Sequence, residues 1–183
     1  LEQAHARARL LGWPNTRLAA FWYQALFAVR LGDAERVGAL ADEMRALVDE
    51  SEVAQGRTAC RWFRGWADAR MGQPRDGYRR IREAYEDNTR LGMLAGGSEV
   101  LGYATEALVL AGDWDGAQHE LDEALQVANT LGERVYLPQL GVLQAAIARA
   151  RGDRAADDAA IRRAIAEARA QEAPWLELTA LIE

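Results

Sequence analysis

The sequence contains no lysine; all 22 of its basic residues are arginines. A Walker-type phosphate loop needs a lysine ammonium, and Schiff-base catalysis needs a side-chain amine. Both chemistries are therefore excluded within this chain. Cysteine occurs once, as Cys60, so no internal disulfide can form, and a reducing, cytoplasmic setting is expected. The two histidines, His5 and His119, stand far apart, with no cysteine or second histidine at metal-ligand spacing. Neither a metal nor a cofactor is expected. No apolar run approaches the roughly 20 residues of a membrane-spanning helix. The opening LEQAHARARLLGW has no uninterrupted apolar core, which separates it from a secretory signal. A net charge of −6 points away from a nucleic-acid-binding surface.

Half of the 183 residues are apolar and about a quarter are charged, the balance of a folded chain. Its punctuation is periodic. Gly32, Gly72, Gly112 and Gly152 recur every 40 residues, in RLGD, RMGQ, LAGD and ARGD. A second series, Gly12, Gly92 and Gly132, falls halfway between, with Glu at positions 52 and 172. A break every 20 residues and a full block every 40 is the signature of a repeat architecture.

The segments between breaks are rich in Ala, Leu, Arg, Glu and Gln, all good helix formers. Ala117, Leu121, Ala124, Leu125 and Ala128 fall on one helical face. Pro14, Pro74, Pro138 and Pro174 sit near segment starts, where a missing N–H costs little. The glycines sit just past segment ends, and Asp33, Asp113 and Asp153 follow at once as N-caps. Helices are predicted at 15–31, 33–50, 55–71, 73–90, 95–111, 113–130, 135–151, 153–170 and 174–183. Short gaps make neighbours antiparallel. Superposed blocks align Ala41, Ile81, Leu121 and Ile161 in one column, with Met44, Ala84, Ala124 and Ala164 three residues on. A small-residue column, Ala25, Gly65, Thr105 and Ala145, marks the preceding helices. Gly65 would cost about 1 kcal/mol in a helix interior, so close packing is its expected reason.

These residues resemble a tetratricopeptide (TPR) repeat array. In SEVLGYATEALVLAGDWDGAQHELDEAL, residues 98–125, Thr105 takes the small position of the first helix and Gly112–Asp113 the turn. Trp114 supplies the aromatic, and Ala117, Leu121 and Ala124 the small-large-small positions of the second helix. The 40-residue block exceeds the family's usual 34, and the closing proline is missing. The resemblance implies an all-α, right-handed α-solenoid of antiparallel helix pairs. Blocks are expected at about 15–54, 55–94, 95–134 and 135–174, with partial blocks at both ends. Leu1 and Ala4 fit the second-helix columns, and WLELTALIE reads as half a first helix, so the chain is expected to be a fragment of a longer protein. Long blocks with Leu-Gly turns are also similar to the C-terminal repeat regions of large bacterial signalling ATPases and cyclase-type regulators.

TPR arrays bind along the face lined by their first helices. Carried over, that face holds Trp22, Leu26, Val29 and Arg30, then Trp62, Trp66 and Arg70. Glu99, Glu106 and Val109 follow, then Gln139, Val142 and Arg149. Trp22, Leu26, Arg30, Trp62, Trp66, Arg70 and Glu106 are the candidate ligand residues. The tryptophans with arginine at one end suit an apolar peptide. The same rings would equally fill core between long helices. Arg75, Arg79, Arg80 and Arg82 read as a solvated second-helix face, Cys60 as a core thiol, and RGD at 151–153 as the inter-helix turn. No catalytic constellation is expected, so the chain is read as non-enzymatic. The leading expectation is a protein-interaction or regulatory segment holding a peptide or a neighbouring domain, without nucleic-acid or membrane partners. The alternative is a small-molecule sensor with an enclosed pocket lined by Trp22, Trp62 or Trp66.

Overall fold

The computed structural model describes residues 13–51 and 56–182. The predicted roles of Leu1, Ala4, His5, Gly12 and the break at position 52 lie outside the described residues. Among the described residues the chain is all-helical, with no strand. The helices are α1 (Pro14–Arg30), α2 (Ala34–Ser51), α3 (Gly56–Arg70), α4 (Pro74–Arg90) and α5 (Gly97–Leu110). They continue with α6 (Trp114–Leu131), α7 (Leu137–Ala150), α8 (Arg154–Ala170) and α9 (Pro174–Ile182). None is long and apolar enough to cross a membrane.

The recurring turn explains the period. After α1, Gly32 N–H donates to the Val29 carbonyl and Asp33 N–H to the Ala28 carbonyl, each at 3.0 Å. This paired arrangement satisfies two of the carbonyls that a helix C-terminus leaves over. The same 3.0 Å Asp bonds follow α5, from Asp113 to Leu108, and α7, from Asp153 to Ala148. Gln73 makes it after α3, to Asp68, at 2.9 Å. The residue between must turn left-handed, and Gly32, Gly72, Gly112 and Gly152 have φ of 71°, 92°, 70° and 75°. The aspartate then starts the next helix. Asp33 accepts from Arg36 N–H, Asp113 from Gly116 N–H and Asp153 from Ala156 N–H, each at 3.0 Å. One Gly-Asp pair thus ends one helix and caps the next. Where the halfway series lacks glycine, the backbone still turns: Glu172 has φ of 52° and stands alone among the described non-glycine residues in doing so.

The chain divides into two compact units, residues 1–92 and 93–183. In the N-terminal unit α1 packs on α2, α2 on α3, α3 on α4, and α1 also on α3. In the C-terminal unit α5 packs on α6, α6 on α7, α7 on α8 and α8 on α9; α5 and α9 also reach α7. The aligned columns form the two cores. Ala25, Gly65, Thr105 and Ala145 are all buried, as are Ala41, Ile81, Leu121, Met44, Ala84, Ala124 and Ala164. Ile161 departs from its column and is half-buried.

The tightest approach joins α3 to α4. A Cβ on Gly65 would sit 2.7 Å from the Gly77 carbonyl oxygen, and one on Gly77 would sit 2.4 Å from the Gly65 carbonyl oxygen. Two facing glycines let the backbones touch there. In the C-terminal unit a carboxylate outside the repeat pattern fastens a helix start. Glu133 accepts from Gly96 N–H at 2.6 Å, Ser98 N–H at 3.0 Å and the Ser98 hydroxyl at 2.5 Å. An anion at the α5 N-terminus meets the unpaired amides and the positive end of the helix dipole.

Candidate functional site

Helix α3 carries two side-chain stripes, and they have different fates. Trp62 and Trp66, one turn apart, are 5% and 2% exposed. Trp22 of α1 meets Trp62 edge-on at 5.1 Å between ring centroids and Phe63 at 5.7 Å. These rings seal α1 against α3, with the edge-to-face geometry that aromatic quadrupoles favour. Arg70, exposed, lays its guanidinium 5.3 Å from the Trp66 ring centre. Trp22, Leu26 and Arg30 are half-buried along α1. Glu106 is half-buried on α5 in the C-terminal unit. There Glu99 is buried and accepts from the Tyr103 hydroxyl at 2.5 Å, while Arg149 binds Asp157 at 3.0 Å. The structure thus brings Trp22 to Trp62 and Arg70 to Trp66 inside the N-terminal unit, and it leaves little of the two α3 tryptophans for a ligand.

The second stripe of α3 is Arg57, Cys60, Arg61, Arg64 and Asp68, spaced three and four apart so that it shares one face. Helices α2 and α4 flank it. Both pack on α3, and no Cα of one lies within 8 Å of a Cα of the other. The gap between them is a cleft of about 610 Å³, lined by Arg45, Val48 and Asp49 of α2, by Arg57, Thr58, Cys60 and Arg61 of α3, and by Asp87, Arg90 and Leu91 from the end of α4. Val48 and Cys60 make an apolar floor, while Arg45, Asp49, Arg57, Arg90 and Leu91 form an exposed rim. A second hollow of about 300 Å³ shares Arg45, Cys60 and Arg61, and continues past Arg64 to Asp68 and Arg80. From Arg57 to Asp68 the groove follows α3 for roughly 16 Å at 1.5 Å per residue.

Ion pairs set its walls. Asp87 accepts from Arg61 across the groove floor and also faces Arg90. The Arg61 hydrogen bond, aided by the charges of Arg61 and Arg90, holds the Asp87 carboxyl below the usual carboxylate range. Asp68, 3% exposed, is clamped by Arg64 at 2.8 Å and by Arg80 of α4 at 3.0 Å. Arg64 also reaches Asp42 of α2 at 3.0 Å. The Cys60 thiol donates to the Arg57 carbonyl at 3.2 Å. Burial pushes its pKa up against the opposing pull of Arg61 and Arg45. A thiol held protonated is a weak nucleophile. Among the described residues no three His, Cys, Asp or Glu side chains gather as metal ligands. The groove offers an apolar floor, guanidinium donors and an open rim.

Sequence reasoning followed the tryptophan stripe of α3 and passed over the arginine stripe on the same helix. The signal was present in the spacing of Arg57, Arg61, Arg64 and Asp68. What it lacked was the distance between α2 and α4, which opens that face. No protein-family model matches the chain, and no curated protein matches it significantly.

Proposed function

We propose that this chain is a non-catalytic TPR-like segment, a right-handed solenoid of forty-residue helix pairs, that binds a peptide from a partner protein or neighbouring domain. The role we assign is regulatory and cytoplasmic, as part of a signalling protein. The left-handed glycine turn repeated at four positions, three of them followed by a capping Asp and one by Gln73, supports the repeat reading, as do the helix pairings common to both units. The cleft on α3 carries the functional reading. Its volume is in the range of about 300–1,000 Å³ typical of ligand sites. It spans two forty-residue blocks, since α2 belongs to 15–54 and α3 and α4 to 55–94. A sensor pocket enclosed by Trp22, Trp62 or Trp66 is the weaker reading, because none of these rings lines the cleft.

The test is selection of random peptides on the intact chain, repeated on two single variants. Leu91→Glu alters the groove rim, and Leu26→Glu alters the first-helix face. Peptides lost with Leu91→Glu and kept with Leu26→Glu support the groove. Peptides lost only with Leu26→Glu place binding on the tryptophan side and overturn it, as does a selection that yields nothing.

A further inference from the structure

The charge of the groove runs against the charge of the chain. Residues 93–183 carry seven arginines against fifteen carboxylates, a net of −8. Residues 1–92 carry fifteen arginines against thirteen carboxylates, a net of +2. The cleft concentrates that excess: among the described residues that line it, four arginines face two carboxylates, Asp49 and Asp87. Asp87 serves both Arg61 and Arg90, so one carboxylate is divided between two guanidiniums. Among the described residues Arg45 pairs with Asp42, at 3.6 Å, and both are largely exposed. The positive charge on the rim is thus under-neutralised, and it stands around an apolar floor at Val48 and Cys60.

Resting on the groove reading, we infer that the occupant is an extended acidic segment of another polypeptide, its carboxylates meeting Arg45, Arg57 and Arg90 and an apolar side chain seated on Val48 and Cys60. A groove of roughly 16 Å holds about five residues of extended chain at 3.3 Å each. Rim arginines that stay hydrated in the free protein lose little on meeting a carboxylate, and their field steers an acidic segment toward the cleft. A basic segment meets the same field as repulsion. The inner hollow adds no strong preference of its own, because Asp42 and Asp68 already answer Arg64 and Arg80.

The experiment uses random capped peptides selected on the intact chain and sorted by loss of binding to Leu91→Glu. Among the groove-dependent peptides, the inference expects enrichment in Asp and Glu alternating with apolar residues. Affinity should fall about tenfold or more in Arg57→Glu and in Arg45→Glu, and fall again on raising salt from low to high ionic strength. Both arginines are exposed, so thermal melts of the variants should match the parent. Groove-dependent peptides that are neutral or basic, or that bind Arg57→Glu as tightly as the parent, overturn the acidic occupant while the groove reading survives. If no peptide depends on the groove, both fail.

Discussion

Gly65 and Gly38 look alike in the sequence, each a glycine inside a good helix, and the structure separates them. At Gly38 an added methyl would find Ala67 Cβ at 3.5 Å and nothing nearer, ordinary contact distance. At Gly65 it would meet the Gly77 carbonyl oxygen at 2.7 Å and Ile81 at 2.8 Å. Helix propensity gains about 1 kcal/mol at either site on changing Gly to Ala. Overpacking against backbone costs about 1–3 kcal/mol, and the carbonyl cannot swing away as a side chain could. Gly38→Ala should therefore raise stability by about 0.5–1 kcal/mol, and Gly65→Ala should lower it by ~1 kcal/mol or more. Chemical denaturation of the two variants checks this, and equal shifts of one sign would refute it. Gly65 was legible in the sequence as a packing residue because it occupies the same column as Ala25, Thr105 and Ala145. Its partner Gly77 was not, since nothing in periodicity says which glycine faces which.

At the scale of the helix, boundaries were legible to within one or two residues because glycines mark most of the breaks, and at three of them a Gly-Asp pair ends one helix and caps the next. Gly supplies the left-handed turn and Asp the cap, so local chemistry alone fixes ends such as 30/34 and 150/154. The lateral spacing of helices was not legible. It depends on how far α2 and α4 stand apart on α3, which side-chain columns do not encode. The Arg61–Asp87 pair bridges that part of the groove, joining α3 to α4. A carboxylate with a lowered pKa adds stability above its ordinary value of ~3.9, and that contribution is lost as pH falls through the lowered folded value. Asp87→Asn should thus melt earlier than the parent near neutral pH, by an amount worth about 1 kcal/mol. The gap should close as the pH falls below 4. Melting curves at both pH values decide it; a gap that persists unchanged in acid would contradict the pairing.

Across the whole molecule, two compact units share one scheme of helix pairing and differ in charge, +2 against −8. The all-helical class followed from composition and period alone. The candidate site did not follow from them, because one helix, α3, buries tryptophans on one face and turns arginines to the groove on another, and the sequence ranks neither stripe above the other. Burial separates them: the tryptophans of α3 pack into the core, where Trp62 meets Trp22 at 5.1 Å, while the arginine stripe lines a cleft that stays open.

The single cysteine makes the decisive measurement possible, since Cys60 lies in the cleft and is the chain's only thiol. The rate of its alkylation by iodoacetamide near neutral pH, followed by mass spectrometry, reports access to the groove floor. Saturation with a peptide selected on the intact chain should slow that rate about tenfold or more, as the ligand covers the thiol and suppresses local opening. A bound peptide that leaves the Cys60 rate unchanged would place recognition elsewhere and contradict the account.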